Sequence, residues 1–108
     1  VMSKPNPSRV VLDAGAKALA AQNRESGICA TGGFGAVKGA ESVRLSGLYD
    51  EHGLIENAAF NRQISLGDKI EVIPSHICPT VNLYDKAYLV SAGEIVQEIP
   101  ISCRGRSQ

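Results

Sequence analysis

Glycine and proline cut this chain into short pieces, and most of the pieces alternate. With 11 glycines and 5 prolines in 108 residues, turns recur too often for a long helix to form. "ESVRLSGL" sets Val43 and Leu45 on one face, as a half-buried strand requires, and "KIEVIP" does the same with Ile70 and Val72 after the turn "LGD". "RVVLDAG" is a β-branched run that stops at glycine. "KAYLVS" and "EIVQEIPIS" meet at Ala92-Gly93, the length of a hairpin turn. Only "AGAKALAAQN" predicts a helix, alanine-rich and ended by "RESG" with Gly27 near its C-cap. Five or six short strands and one short helix predict a mainly β domain, a small barrel or sandwich, with no internal repeat.

A chain of 108 residues builds one hydrophobic core. Its 11 basic and 11 acidic side chains leave a net charge of zero, so no field attracts phosphate backbones or anionic lipid. Nucleic acid and membrane surfaces are therefore not expected partners. Cys29, Cys78 and Cys103 are odd in number and irregularly spaced, which argues against a secreted disulfide scaffold and for a reducing cytoplasm. The opening "VMSKPNPSRV" is polar, and its "SKPNPS" reads as a linker because two prolines remove amide donors. A start on Val1, before Met2, suggests a cut from a longer polypeptide.

Three stretches invite chemical readings. "TGGFGAVKG" has neither dinucleotide nor Walker spacing, since Lys38 is not followed by Ser or Thr, so it is expected to be a flexible turn with Lys38 on the surface. His52 in "YDEHGLI" adjoins Glu51, and a carboxylate can fix an imidazole's tautomer for use as a base or ligand. A plain turn histidine is the competing reading. In "IPSHICPTVNLYD", His76 and Cys78 stand two apart between Pro74 and Pro79. In extended backbone such residues project to one side about 6.5 Å apart, within reach of one ion. Pro79 is expected to hold Cys78 extended. Imidazole plus thiolate selects zinc over magnesium or manganese. Two ligands leave a zinc shell incomplete, so either its other positions are open to water and substrate, or no metal binds and Cys78 is a buried small apolar residue.

"LDAGAKALA" (12–20), "LYDEHGLI" (48–55) and "GDKIEVIPSHICPTVNLYD" (67–85) together resemble the C-terminal β-domain of the D-serine dehydratase and D-threonine aldolase family, pyridoxal-phosphate enzymes of alanine-racemase type. The resemblance implies that residues 1–9 lead from an N-terminal (β/α)8 barrel outside this chain and that 10–108 form the β-domain. It implies pyridoxal phosphate on a lysine of that barrel, so neither Lys17 nor Lys38 has that role and the fragment alone is inactive. It implies metal ligands at His76 and Cys78. Dehydratases of the family show His-x-Cys with zinc, and aldolases His-x-Asp with manganese or a similar ion. Cys78 thus points to zinc and to β-elimination of a D-β-hydroxy amino acid to an oxo acid and ammonia. Retro-aldol cleavage and a non-catalytic β-barrel assembly module are the alternatives. A homodimer is implied as well. His52, oriented by Glu51, is the candidate catalytic group, while Asp13, Asn82, Tyr84 and Asp85 are candidates for shaping the loop around the metal. Ala20 stands where the family often has serine, and Asp50 where glutamate is common.

Overall fold

The computed structural model describes residues 1–22, 26–28 and 30–106. Two antiparallel sheets share its core. The first runs in the order β1 (Ser3–Asn6), β2 (Arg9–Leu12), β6 (Gly53–Glu56), β5 (Gly47–Leu48), and the second β4 (Ala40–Arg44), β3 (Gly35–Val37), β7 (Val72–Pro74). Pairing of β2 with β6 sets Val10 opposite Ile55, and both are fully buried. Val37 and Val43 from the second sheet, with Leu12, Leu45 and Phe60, complete the cluster. Each such side chain contributes about 1.5–3 kcal/mol on burial. The chain passes between sheets at Leu45-Ser46, where Leu45 N donates to Gly35 O and Ser46 N to Leu54 O.

The mainly β expectation holds, and among the described residues the sheets pack without closing into a barrel. Among the described residues three short helices replace the single one predicted: α1 (Ala16–Leu19), α2 (Ala58–Gln63) and α3 (Ile77–Val81). The sequence hid α2 because its start is a side-chain device, Asn57 Oδ1 accepting from Phe60 N at 2.8 Å. Helix α1 stops at Leu19, so Gly27 does not cap it, and the segment 23–25 between them lies outside the described residues.

The expected linker is a correction. Ser3–Asn6 is strand β1, and prolines are tolerated there because β1 is an edge strand that leads into a turn. Asn6 Oδ1 accepts from Ser8 N and Arg9 N, which closes the turn, and buried Asn61 of α2 donates to the carbonyls of Asn6 and Arg9. The expected flexible turn at 31–39 is a second correction, since Gly35–Val37 is the central strand β3. A Cβ on Gly35 would lie 2.9 Å from Val72 Cγ1, so this glycine serves close strand packing. Lys38 is exposed as expected and pairs with Glu71.

The last two strands, β8 (Lys86–Ser91) and β9 (Glu94–Pro100), form a sheet of their own. Ala92 and Gly93 turn the hairpin at φ 52° and 79°, the left-handed pair of a type I′ turn. Every residue of both strands is exposed.

Candidate metal centre

Helix α3 carries the motif. Ser75 Oγ donates to Gly33 O at 2.9 Å and fixes the end of β7. His76 follows as the N-cap residue in extended conformation, φ −139° and ψ 106°, and the helix begins at Ile77. Cys78 therefore lies in the first helical turn, which corrects the extended geometry expected for the pair. Pro79 permits this because an amide in the first turn has no intrahelical acceptor to lose. The side chain of His76 makes no capping bond and is half-buried, whereas Cys78 is exposed. Cys78 is thus not the buried apolar residue of the competing reading.

Two side-chain hydroxyls of this segment fasten it to α1. Thr80, itself buried, places Oγ1 2.6 Å from Leu19 O and 2.8 Å from His76 O, sharing its proton between the two carbonyls. Tyr84 Oη donates to Ala18 O at 2.6 Å. The opposite end of α1 is held by the second motif block, for Ala16 N donates to Tyr49 O at 2.7 Å and Lys17 N to Asp50 O at 3.1 Å. Both ends of this short helix thereby find partners for groups that the helix itself leaves unpaired. Approach at Gly15 is so close that a Cβ would lie 2.2 Å from Tyr49 O and 2.5 Å from His52 N. Three blocks distant in sequence thus converge on a helix about 6 Å long.

His52 is exposed in the turn beside Gly15. Glu51 does not orient it, because its carboxylate pairs with Lys17, and this hydrogen bond raises the Lys17 pKa above its ordinary 10.5. Among the loop candidates, Asn82 Oδ1 accepts from Gly105 N at 2.8 Å, Asp85 pairs with Arg104 at 3.1 Å, and Tyr84 reaches α1. Asp13 lines a different cavity, near Gly67 and Ile70. Beside α3 lies a cavity of about 430 Å³ lined by Cys78, Val81, Asn82, Ile101, Cys103 and Arg106. Sequence reasoning missed Thr80 and Gly15, both inside quoted blocks, and gave no signal for Cys103.

Among the described residues no group of three His, Cys, Asp or Glu side chains is arranged to hold an ion. As a donor set, the uncommitted imidazole of His76 and the exposed thiol of Cys78 fit zinc in type, nitrogen and sulfur, and leave positions for water or a substrate hydroxyl. No helix of the described residues is long and apolar enough to cross a membrane.

Residues 1–90 match the family model described as a putative serine dehydratase domain. The chain belongs to this family. Membership accounts for the convergence of all three blocks within the matched region. D-threonine aldolase of an Arthrobacter species is 36% identical over 108 residues, which is 100% of this chain and 26% of that protein. 3-Hydroxy-D-aspartate aldolase of Paracoccus denitrificans is 33% identical over 106 residues, 98% of this chain and 24% of the relative. The crystal structure of D-threonine aldolase from Filomicrobium marinum shares the fold with a TM-score of 0.75 at 31% identity, covering 98% of this chain and 27% of that one. The chain therefore spans about a quarter of the length of these relatives.

Proposed function

We propose that this chain is the metal-binding C-terminal domain of a pyridoxal-phosphate-dependent lyase that acts on D-β-hydroxy amino acids in the cytoplasm. The carrying observation is the His76-Cys78 pair at the start of α3, one side chain free of capping duty and the other exposed, on a helix fastened to α1, whose other end the 49–50 backbone holds. His76 and Cys78 would hold zinc, which when bound supplies Lewis acidity to the substrate's β-hydroxyl, beside the electron sink of pyridoxal phosphate on the preceding barrel. Thr80 positions the pair by holding the His76 carbonyl, and Tyr84 keeps α3 against α1. His52, in the turn that abuts α1, is the candidate for proton transfer at the site's edge.

Cys78 favours elimination, with the β-hydroxyl lost and an oxo acid and ammonia as products. Retro-aldol cleavage is the second reading, favoured by the names of the relatives. Threonine and 3-hydroxyaspartate share a β-hydroxyl with serine, so one metal position serves either outcome. The exposed apolar hairpin supports a domain that is covered by more protein, either the barrel of the same polypeptide or a second copy in a homodimer.

A product assay on the complete polypeptide tests this, with D-serine and D-threonine offered separately in the presence of both cofactors and a chelator control. Oxo acid and ammonia that disappear with chelator are expected, together with loss of bound zinc in Cys78→Ala. Glycine plus aldehyde identifies the aldolase. Full turnover by a metal-free protein refutes the assigned site.

A further inference from the structure

We propose that Cys78 and Cys103 form an oxidisable thiol pair, which a peroxide closes to a disulfide. That its closure withdraws Cys78 from metal rests on the ligand role proposed above. The pairing itself rests on the fold. Cys103 sits in the turn after β9, and three contacts draw that turn onto the segment following α3: Gly105 N donates to Asn82 Oδ1 at 2.8 Å, Ile101 N donates to Asp85 O at 2.9 Å, and Arg104 Nε pairs with Asp85 Oδ1 at 3.1 Å. Cys78 and Cys103 are both free and exposed, and both line the cavity of about 430 Å³ beside α3. Small peroxides can therefore reach either sulfur, and the fold holds the second thiol near the first.

The step balances with hydrogen peroxide as oxidant. Its O–O bond breaks as one thiol becomes a sulfenic acid and water leaves. The second sulfur then displaces the sulfenic hydroxyl, which departs with the remaining thiol proton as a second water while the S–S bond forms. Closure needs Cα atoms about 4.4–6.8 Å apart, and the exposed turn 102–105, held by surface contacts, provides the adjustment. A bridged Cys78 has no thiolate to offer an ion, so oxidation empties the site and a thiol reductant restores it.

Trypsin puts each cysteine on its own peptide, Cys29 on 25–38, Cys78 on 70–86 and Cys103 on 87–104. The full 108-residue chain, treated with equimolar hydrogen peroxide and mapped by mass spectrometry without reduction, is expected to yield 70–86 linked to 87–104, lighter than their sum by two hydrogens. Reductant should split the link, Cys103→Ser should lose it, and Cys29→Ser should keep it. Cys78 found linked to Cys29, bridged between chains, or driven to sulfinic acid without a link overturns the pair. In a parallel sample loaded with zinc, metal release should follow the link and reverse on reduction in the unmodified chain only. A link without zinc uptake would leave the thiol pair standing and remove the metal reading, and zinc uptake without a link would do the opposite.

Discussion

Val10 and Ile55 face each other across β2 and β6 with no solvent contact, whereas Leu89 and Ile95, on the paired strands β8 and β9, keep 49% and 65% of their surface in water. Both regions pair antiparallel, the hairpin with one register shift between Leu89 and Val90, and both carry comparable side chains. What differs is the second layer. The first sheet rests on β3 and β4 through a shared cluster, while among the described residues no second layer covers either face of the hairpin. Pairing satisfies the backbone, but only a facing layer removes apolar surface from water, so the body has intrinsic stability and the hairpin is marginal by itself.

The largest effect that separates the two regions is expected from truncating equivalent leucines. Leu45→Ala should cost about 2–5 kcal/mol by leaving a cavity, and Leu89→Ala less than about 0.5 kcal/mol, both read from urea unfolding. Equal losses would show that the hairpin is packed in solution. Glycines sharpen the contrast next. Gly15→Ala drives a Cβ against backbone at Tyr49 and should cost about 1–3 kcal/mol globally. Gly93→Ala meets open space but demands φ 79° of an L-residue, so its cost of about 1–2 kcal/mol should fall on local hairpin opening, seen as faster amide exchange with the unfolding midpoint unchanged.

The reverse change is smaller. Ala92, a non-glycine residue at φ 52°, should gain up to about 1 kcal/mol of hairpin protection on replacement by glycine, again without moving the midpoint. Smallest is a pH effect on the hairpin. Hydrogen bonding to Glu98 raises the Lys86 pKa above 10.5, with Tyr88 adding to the shift. This contribution is complete below 10.5 and is lost as pH rises through the higher folded value. Hairpin amides should therefore exchange faster than intrinsic chemistry predicts above that pH, and a flat corrected profile would remove the Lys86–Glu98 pair from the account.

A clean period of two made the core-facing pairs legible, Val43 with Leu45 and Ile70 with Val72, although Leu45 lies just past β4 and Ile70 before β7, and the turn at Ala92-Gly93 was legible too. What escaped was structure made by exceptions to propensity. Pro5 marks β1 as an edge strand, Gly35 marks β3 as a close-packed one, and Pro79 sits where a helix tolerates it, yet each first reads as a break. The spacing of His76 and Cys78 was visible. Their placement on a helix start was not, because it depends on Thr80 and Leu19, 61 positions apart. Sequence proximity likewise suggested Glu51 for His52, but the carboxylate found a stronger partner in Lys17, a cation brought close by folding alone.

Thr80 carries one more consequence. Its single hydroxyl proton lies between the carbonyl of Leu19 and that of His76, so the helix that receives the turn 49–52 and the first residue of the His76-Cys78 pair share one fastening. Alignment of the two is then inherited: a tilt of α1 caused at Gly15 reaches His76 and Cys78 as a change of aim, with no residue of the motif altered.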